Sequence, residues 1–261
     1  MAVSTTVIRA DGTTATHPRT WVPETPVALE FNGIAYAVMM ATPADLEDFA
    51  TGFALAEALI TTADQIAAIT PAEVADGHIL RAQILGPGAD RIMDRVRQRV
   101  AESSCGLCGI ENLAEVTRAL PPVAAHAAVA PAAIFAALSA LRPLQTLGRA
   151  TAAAHAAAFC TPVGEIVLLR EDVGRHNAMD KLIGAALRDG VALSAGFVLS
   201  TARCSYEIVE KAVRAGATTL VTVSLPTSMA VARAQAAGLS LWVLAREDAV
   251  TLAWDGSSQG Q

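Results

Sequence analysis

The second half of the chain has a rhythm that leaves few folds open. Short apolar runs of strand length, Glu165–Leu169, Phe197–Ser200, Thr219–Ser224 and Ser240–Leu244, alternate with helix-length segments, Arg175–Arg188, Ser205–Ala215 and Ser228–Ala237. The connections between them are short. Such alternation predicts a mostly parallel sheet covered by helices on both faces, because each helix is the crossover that returns the chain to the next strand. Pro131–Leu141 and Thr151–Ala158 read as helices ahead of this unit.

The first half reads differently. Residues 1–20 are polar, Thr-rich and unpatterned, and are expected to form a loose arm. Glu24–Met40 alternates with a period of two around a hairpin turn at Asn32-Gly33. Thr42-Pro43-Ala44-Asp45 opens a helix to about Leu59, with Thr42 as its cap. Ile79–Leu85 reads as a strand, Asp90–Ala101 and Ile110–Ala119 as helices, and Glu102–Gly109 as a loop. Leu120–Pro131, rich in Pro and Ala, is the linker candidate. The expected division is an arm (1–20), an N-terminal α+β subdomain (21–119), a linker (120–131) and an α/β domain (132–255).

Composition narrows the functional classes. With 261 residues, 53% of them hydrophobic, the chain can bury a substantial core, which excludes disorder as a description of the whole. A net charge of -6 without a basic run argues against nucleic acid as a partner. The mean hydropathy of +0.42 raises the question of membrane spans. The longest charge-free run, Ala119–Leu141, carries Pro121, Pro122, Pro131 and His126 and makes a poor one. Met1–Gly12 has no apolar stretch behind a basic start, so no signal peptide is expected. A cytoplasmic location follows as an expectation, with Cys105, Cys108, Cys160 and Cys204 reduced and no disulfide framework.

Three segments can carry chemistry. The first is Cys105-Gly106-Leu107-Cys108-Gly109, two thiols at a spacing that lets them face one another. Arg91, Arg95 and Arg99 lie on one face of the preceding helix, and another helix begins near Ile110. Cations and a helix start both favour thiolate, the form that attacks sulfur. Redox, sulfur and metal chemistry all remain open for this motif, as do a zinc half-site and two ordinary thiols. No His or Cys has Glu two residues on, which argues against a zinc deaminase. No metal site is expected.

The second segment is Arg170-Glu171-Asp172-Val173-Gly174-Arg175-His176-Asn177-Ala178-Met179-Asp180-Lys181, where a strand turns into a helix. Ligands of open sheets bind at that end of strands. Asn177, Asp180, Lys181 and Gly184 share one helix face, which reads either as a site or as a solvated face with paired charges. The third is Ser224-Leu225-Pro226-Thr227-Ser228, which suits a phosphate at a helix start or plain capping. Arg203, at another strand-to-helix turn, adds a cation. Together the strand ends at Asp172, Arg203 and Thr227 resemble an anion or nucleotide cleft.

These segments, taken together, resemble the FdhD family of sulfur carriers required for formate dehydrogenase activity. The matching stretches are Thr51-Gly52-Phe53 with Glu57–Ile60, Cys105–Gly109, Thr151 with His155-Ala156, Arg170–Gly184, Arg203-x-Ser205-x-Glu207 with Lys211, and Pro226–Ser228. The final strand into Arg246 completes the set, over residues 24–252. The resemblance implies a cytidine-deaminase-like three-layer αβα domain with a smaller N-terminal α+β subdomain, and a homodimer. It implies that a cysteine desulfurase supplies persulfide sulfur to the first cysteine of the motif, Cys105, with Cys108 beside it. The sulfur then passes to the molybdenum (or tungsten) bis-guanine-dinucleotide cofactor of the formate dehydrogenase catalytic subunit, with GDP as a possible mimic of that cofactor. It maps cofactor binding onto Leu244, Ala245, Arg246, Glu247, Asp248 and Ala249. Arg203, Thr227 and Ser228 are expected to join them, with Arg175, His176 and Lys181 as second choices. Ala152, Ala153, Ala202 and Ala249 depart from the family's usual residues. A dithiol oxidoreductase and a non-catalytic guanine-nucleotide-binding chaperone are the competing readings. No membrane or nucleic-acid partner is expected.

Overall fold

The computed structural model describes residues 2–97, 119–123 and 126–260. Strands β1 (Ala2–Ile8) and β2 (Thr14–Thr20) pair as an antiparallel hairpin. The expectation of an unpatterned arm is corrected here: backbone pairing orders a segment whose side chains are mostly exposed and carry no apolar period.

Strands β3 (Thr25–Phe31) and β4 (Ile34–Ala41) meet at Asn32-Gly33, where φ is +53° and +77°. Two left-handed residues make the tight turn whose twist matches the strands, so the hairpin falls where the sequence predicts it. Helix α1 (Leu46–Ala56) follows. Asp45, not Thr42, stands at its N-cap position; the Thr42 hydroxyl instead accepts the Val173 N–H at 3.1 Å. Strands β5 (Ile66–Val74) and β6 (Gly77–Ile84) complete a four-stranded sheet of order β4-β3-β6-β5, before helix α2 (Gly88–Arg97). Strand β5, exposed at two-thirds of its residues, is an element the sequence reading passes over.

Helices α3 (Pro131–Leu144) and α4 (Thr146–Thr151) lead to strand β7 (His155–Cys160). The helix expected over Thr151–Ala158 is therefore corrected. Ala152 turns left-handed at φ +56° and stops α4. The alanines then lie between β8 (Ile166–Asp172) and β9 (Phe197–Ser200), with Ala157 in one apolar core and Ala158 in the other. Helix preference of Ala, a few tenths of a kcal/mol per residue, yields to a buried central strand.

Helix α5 (Arg175–Arg188) joins β8 to β9, and α6 (Tyr206–Arg214), β10 (Thr219–Thr222), α7 (Ser228–Ala237) and β11 (Ser240–Val243) follow. With β12 (Thr251–Trp254) the sheet has the order β12-β11-β10-β9-β7-β8. Only β9, β10 and β11 run parallel; β7 and β12 are antiparallel to their neighbours. The sheet is thus mixed rather than mostly parallel, because the β7–β8 and β11–β12 connections are short links without a crossover helix. Helices α5, α6 and α7 cover one face and α3 the other.

The four-stranded and six-stranded sheets share one core. Val27, Leu29, Phe31, Phe49, Phe53 and Leu80 of the first half cluster with Met179, Leu182, Ile208 and Leu220 of the second. Leu120 and Val123, in the segment expected as linker, pack against the same cluster. At the centre α1 crosses α5 backbone to backbone. A Cβ on Gly52 would lie 1.8 Å from the Asp180 carbonyl oxygen, and one on Gly184 would lie 1.8 Å from that of Asp48. No side chain can move aside to relieve such an overlap. Gly184→Ala is expected to cost about 3 kcal/mol, the upper part of the overpacking range. For a chain of this size that lowers Tm by about 6–12 °C. A melting temperature within 2 °C of wild type, a shift of under about 1 kcal/mol, would rule this out.

Candidate functional site

The carboxyl ends of β8, β9, β10 and β11 lie on one edge of the six-stranded sheet. Register shows this directly: His155 opens β7 opposite Asp172 at the end of β8, and Ala157 pairs with Ser200 at the end of β9. The loops after β9 and β10 are joined by a bridge between Cys204 and Pro226, and the Thr227 N–H bonds to the Cys204 carbonyl at 3.0 Å. The loop after β11 joins them, with Ala245 N–H on the Thr222 carbonyl at 3.1 Å.

Most of the residues expected to bind a cofactor come together here. Arg203 is exposed in the loop after β9. Thr227 caps α7, its hydroxyl accepting the Ala230 N–H at 3.1 Å, and Ser228 is exposed beside it. Leu244 takes a left-handed turn at φ +50°, Ala245 is buried, and Arg246, Glu247, Asp248 and Ala249 are exposed in a turn closed by Arg246 N–H on the Ala249 carbonyl at 2.8 Å. Arg175 and His176 form the first turn of α5 at the same edge.

Lys181 does not face this edge. Its ammonium is fully buried 2.6 Å from Asp172 Oδ2, also fully buried, and donates to the Thr42 carbonyl at 2.9 Å. Asp172, expected as one of three strand ends lining the cleft, is instead a fully buried hub. It accepts the Thr42 N–H at 3.0 Å, the Gly174 N–H at 2.7 Å and Asn177 Nδ2 at 3.0 Å. Asn177 Nδ2 also reaches the Met40 carbonyl at 2.8 Å. A Cβ on Gly174 would stand 2.7 Å from that amide nitrogen, so the glycine makes room for the hub. The shared face of Asn177, Asp180, Lys181 and Gly184 is real, but it turns inward onto β4 and α1 rather than to ligand or solvent. It locks the start of α5 to the first half of the chain.

A second row of charges joins α5 to α6. His176 Nε2 lies 3.0 Å from Glu207 Oε2, and Lys211 Nζ lies 2.6 Å from Asp180 Oδ1. The same ammonium sits 5.8 Å from the centre of the Phe53 ring. Burial pushes the Asp180 carboxyl above its ordinary range, with Lys211 pulling the other way. Opposite polarity in successive rungs fixes the register of the two helices.

His155 stands among the cations of the edge. Burial first, then Arg175 and His176, hold its imidazole below the ordinary 6.5, against a smaller opposing pull from Asp172; Arg203 also contributes. His155 is one of the residues that carry the family resemblance.

Cys160 and Cys204 are buried, and burial pushes both thiols up to about 12. Cys105 and Cys108, the loop that carries them and the helix expected from Ile110 lie outside the described residues. Among the described residues no helix is long and apolar enough to cross a membrane.

Comparison with known proteins puts this arrangement in context. Residues 22–253 match the model of the FdhD/NarQ family. The chain is 46% identical over 88% of its length to a sulfur carrier protein FdhD of Variovorax paradoxus (strain S110), covering 83% of that protein. It is 40% identical over 94% of its length to a sulfur carrier protein FdhD of Agrobacterium fabrum (strain C58), covering 90% of it. A crystal structure described as a formate dehydrogenase accessory protein from Desulfotalea psychrophila superposes with a TM-score of 0.77 at 23% identity, covering 97% of this chain and 96% of that one. At that identity the likeness shows the mixed α/β fold.

Proposed function

The chain belongs to the FdhD/NarQ family, and from that premise we propose that it is a sulfur carrier in formate dehydrogenase maturation, acting through a persulfide on Cys105. A cysteine desulfurase supplies the sulfur. The molybdenum (or tungsten) bis-guanine-dinucleotide of the formate dehydrogenase catalytic subunit is the substrate that receives it. The chain acts as a homodimer in the cytoplasm, with residues 132–255 as a cytidine-deaminase-like three-layer unit and 21–119 as the subdomain bearing the C-x-x-C motif.

One observation carries the nucleotide half of this reading. Arg203, Thr227, Ser228 and Leu244–Ala249 lie on adjoining loops at the carboxyl edge of the parallel strands, with Arg175 and His176 at a helix start beside them. Cations and free amides at helix starts suit the phosphates of a dinucleotide. Lys181, engaged in its buried pair, has a structural role in this reading.

A dithiol oxidoreductase leaves that edge without purpose, and a chaperone without chemistry leaves Cys105–Gly109 without one. GDP is the accessible probe. Arg203→Ala and Arg246→Ala are each expected to weaken its binding about ten- to a hundredfold, the worth of one charge-assisted hydrogen bond. Unchanged affinity in both variants would place the nucleotide elsewhere.

A further inference from the structure

Among the described residues, three side-chain atoms at the carboxyl edge are buried without a hydrogen-bond partner: Arg175 Nε, His176 Nε2 and Ser205 Oγ. They come from two helix starts that touch, because His176 Nε2 lies 3.0 Å from Glu207 Oε2, an ion-pair contact without hydrogen-bond alignment. Ser205 occupies the N-cap of α6, yet its hydroxyl caps no amide there. A serine at this position normally accepts a first-turn N–H. Buried polar atoms are nearly always paired, so Arg175 Nε and Ser205 Oγ, with a His176 Nε2 that meets only the Glu207 carboxylate as an ion pair, mark an edge where a further acceptor belongs. His155 shares the edge. It faces Asp172 across the β7–β8 pair, and the next residue's N–H is held by Thr201 Oγ1 at 2.8 Å in the loop that leads to Arg203 and Ser205.

We propose that His155 and Ser205, with Arg175 and His176, form a phosphate subsite at this edge, and that His155 takes up a proton from solvent as the phosphate binds. The inference rests on the nucleotide reading above and assigns it two further ligand-binding residues.

The groups facing the His155 imidazole are Arg175 and His176 from α5, Arg203 from the loop after β9 and Asp172 from β8. Burial, the Arg175 and Arg203 cations and the neighbouring His176 outweigh the single carboxylate and hold the ring below its ordinary range, so that it is neutral near pH 7. A phosphate placed among those cations offsets their repulsion and favours the imidazolium. Proton and phosphate then strengthen each other's binding by the same factor.

Inorganic pyrophosphate and GDP, each titrated calorimetrically into the full chain at pH 6 and pH 8, test this. Ser205→Ala is expected to weaken both ligands about tenfold at either pH, the loss of one hydrogen bond. His155→Gln is expected to weaken them severalfold at pH 6 and by less than about twofold at pH 8, where the wild-type ring is already neutral. A purely structural role would not make the loss depend on pH. Proton NMR of wild-type His155 needs no variant: its titration midpoint is expected to rise by about one unit in saturating pyrophosphate. If both ligands bind all three proteins alike at both pH values, the inference fails and the nucleotide reading stands. Binding of GDP without pyrophosphate would place the contacts on base and sugar and overturn the phosphate subsite. If neither ligand binds the wild type, both readings fall together.

Discussion

Mixed with a cysteine desulfurase and free cysteine, the wild-type chain is expected to gain the mass of one sulfur atom or more, removable by reductant, and Cys105→Ala to gain none. The expectation comes from setting Cys160 and Cys204 against the motif that carries Cys105. Cys160 sits in the inner strand β7 and Cys204 in the bridge to Pro226, both buried with thiols pushed up to about 12. At pH 8 only about one in ten thousand of either is thiolate, and thiolate is the form that accepts sulfur. Cys160→Ala and Cys204→Ala should therefore load as wild type does. Cys105 lies in a Gly-flanked motif between sequence segments that favour thiolate. Cells carrying Cys105→Ala should make formate dehydrogenase that is present but inactive, while the purified variant binds GDP normally. Full loading of Cys105→Ala would end the assignment of sulfur to that residue.

Lys181→Met should be among the most destabilising single changes in the described core, by about 3–5 kcal/mol, because it leaves the fully buried Asp172 carboxylate without its cation. A buried ion pair can often be exchanged for apolar residues at little cost. That exchange should fail here. Asp172 also accepts hydrogen bonds from Thr42 N–H, Gly174 N–H and Asn177 Nδ2. Replacing it strands three buried donors, each worth about 1–3 kcal/mol when unpaired. Asp172→Leu combined with Lys181→Met is thus expected to be no more stable than Lys181→Met alone. Urea melts of the two single variants and the double decide the point. Recovery of stability in the double would show the pair to be an ordinary ion pair and not the hub that joins β4 to the start of α5.

The sequence by itself determined the local features that a few neighbouring residues dictate. Asn32-Gly33 can supply two left-handed residues, so the β3–β4 turn was legible, and the alternation after Glu165 gave α5, α6, α7 and the strands between them. It also marked the residues of the carboxyl edge, because strand-to-helix turns collect charges and hydroxyls for a recognisable reason. What only the tertiary structure decided depends on partners far away in the chain. Whether the alanines after Thr151 become helix or strand depends on β8 and β9, which pair with them on both edges, and on the two apolar clusters that bury their two faces. Lys181 reads as a ligand of phosphate until Asp172 and Thr42 enclose it, the latter from 139 positions earlier in the chain. Gly52 and Gly184 have no local signature as a pair, and their meaning appears only where α1 and α5 meet backbone to backbone. Spacing along a helix tells which residues share a face. What that face meets is set by packing, since the free energy of burying an apolar or paired surface belongs to two elements and not to either alone.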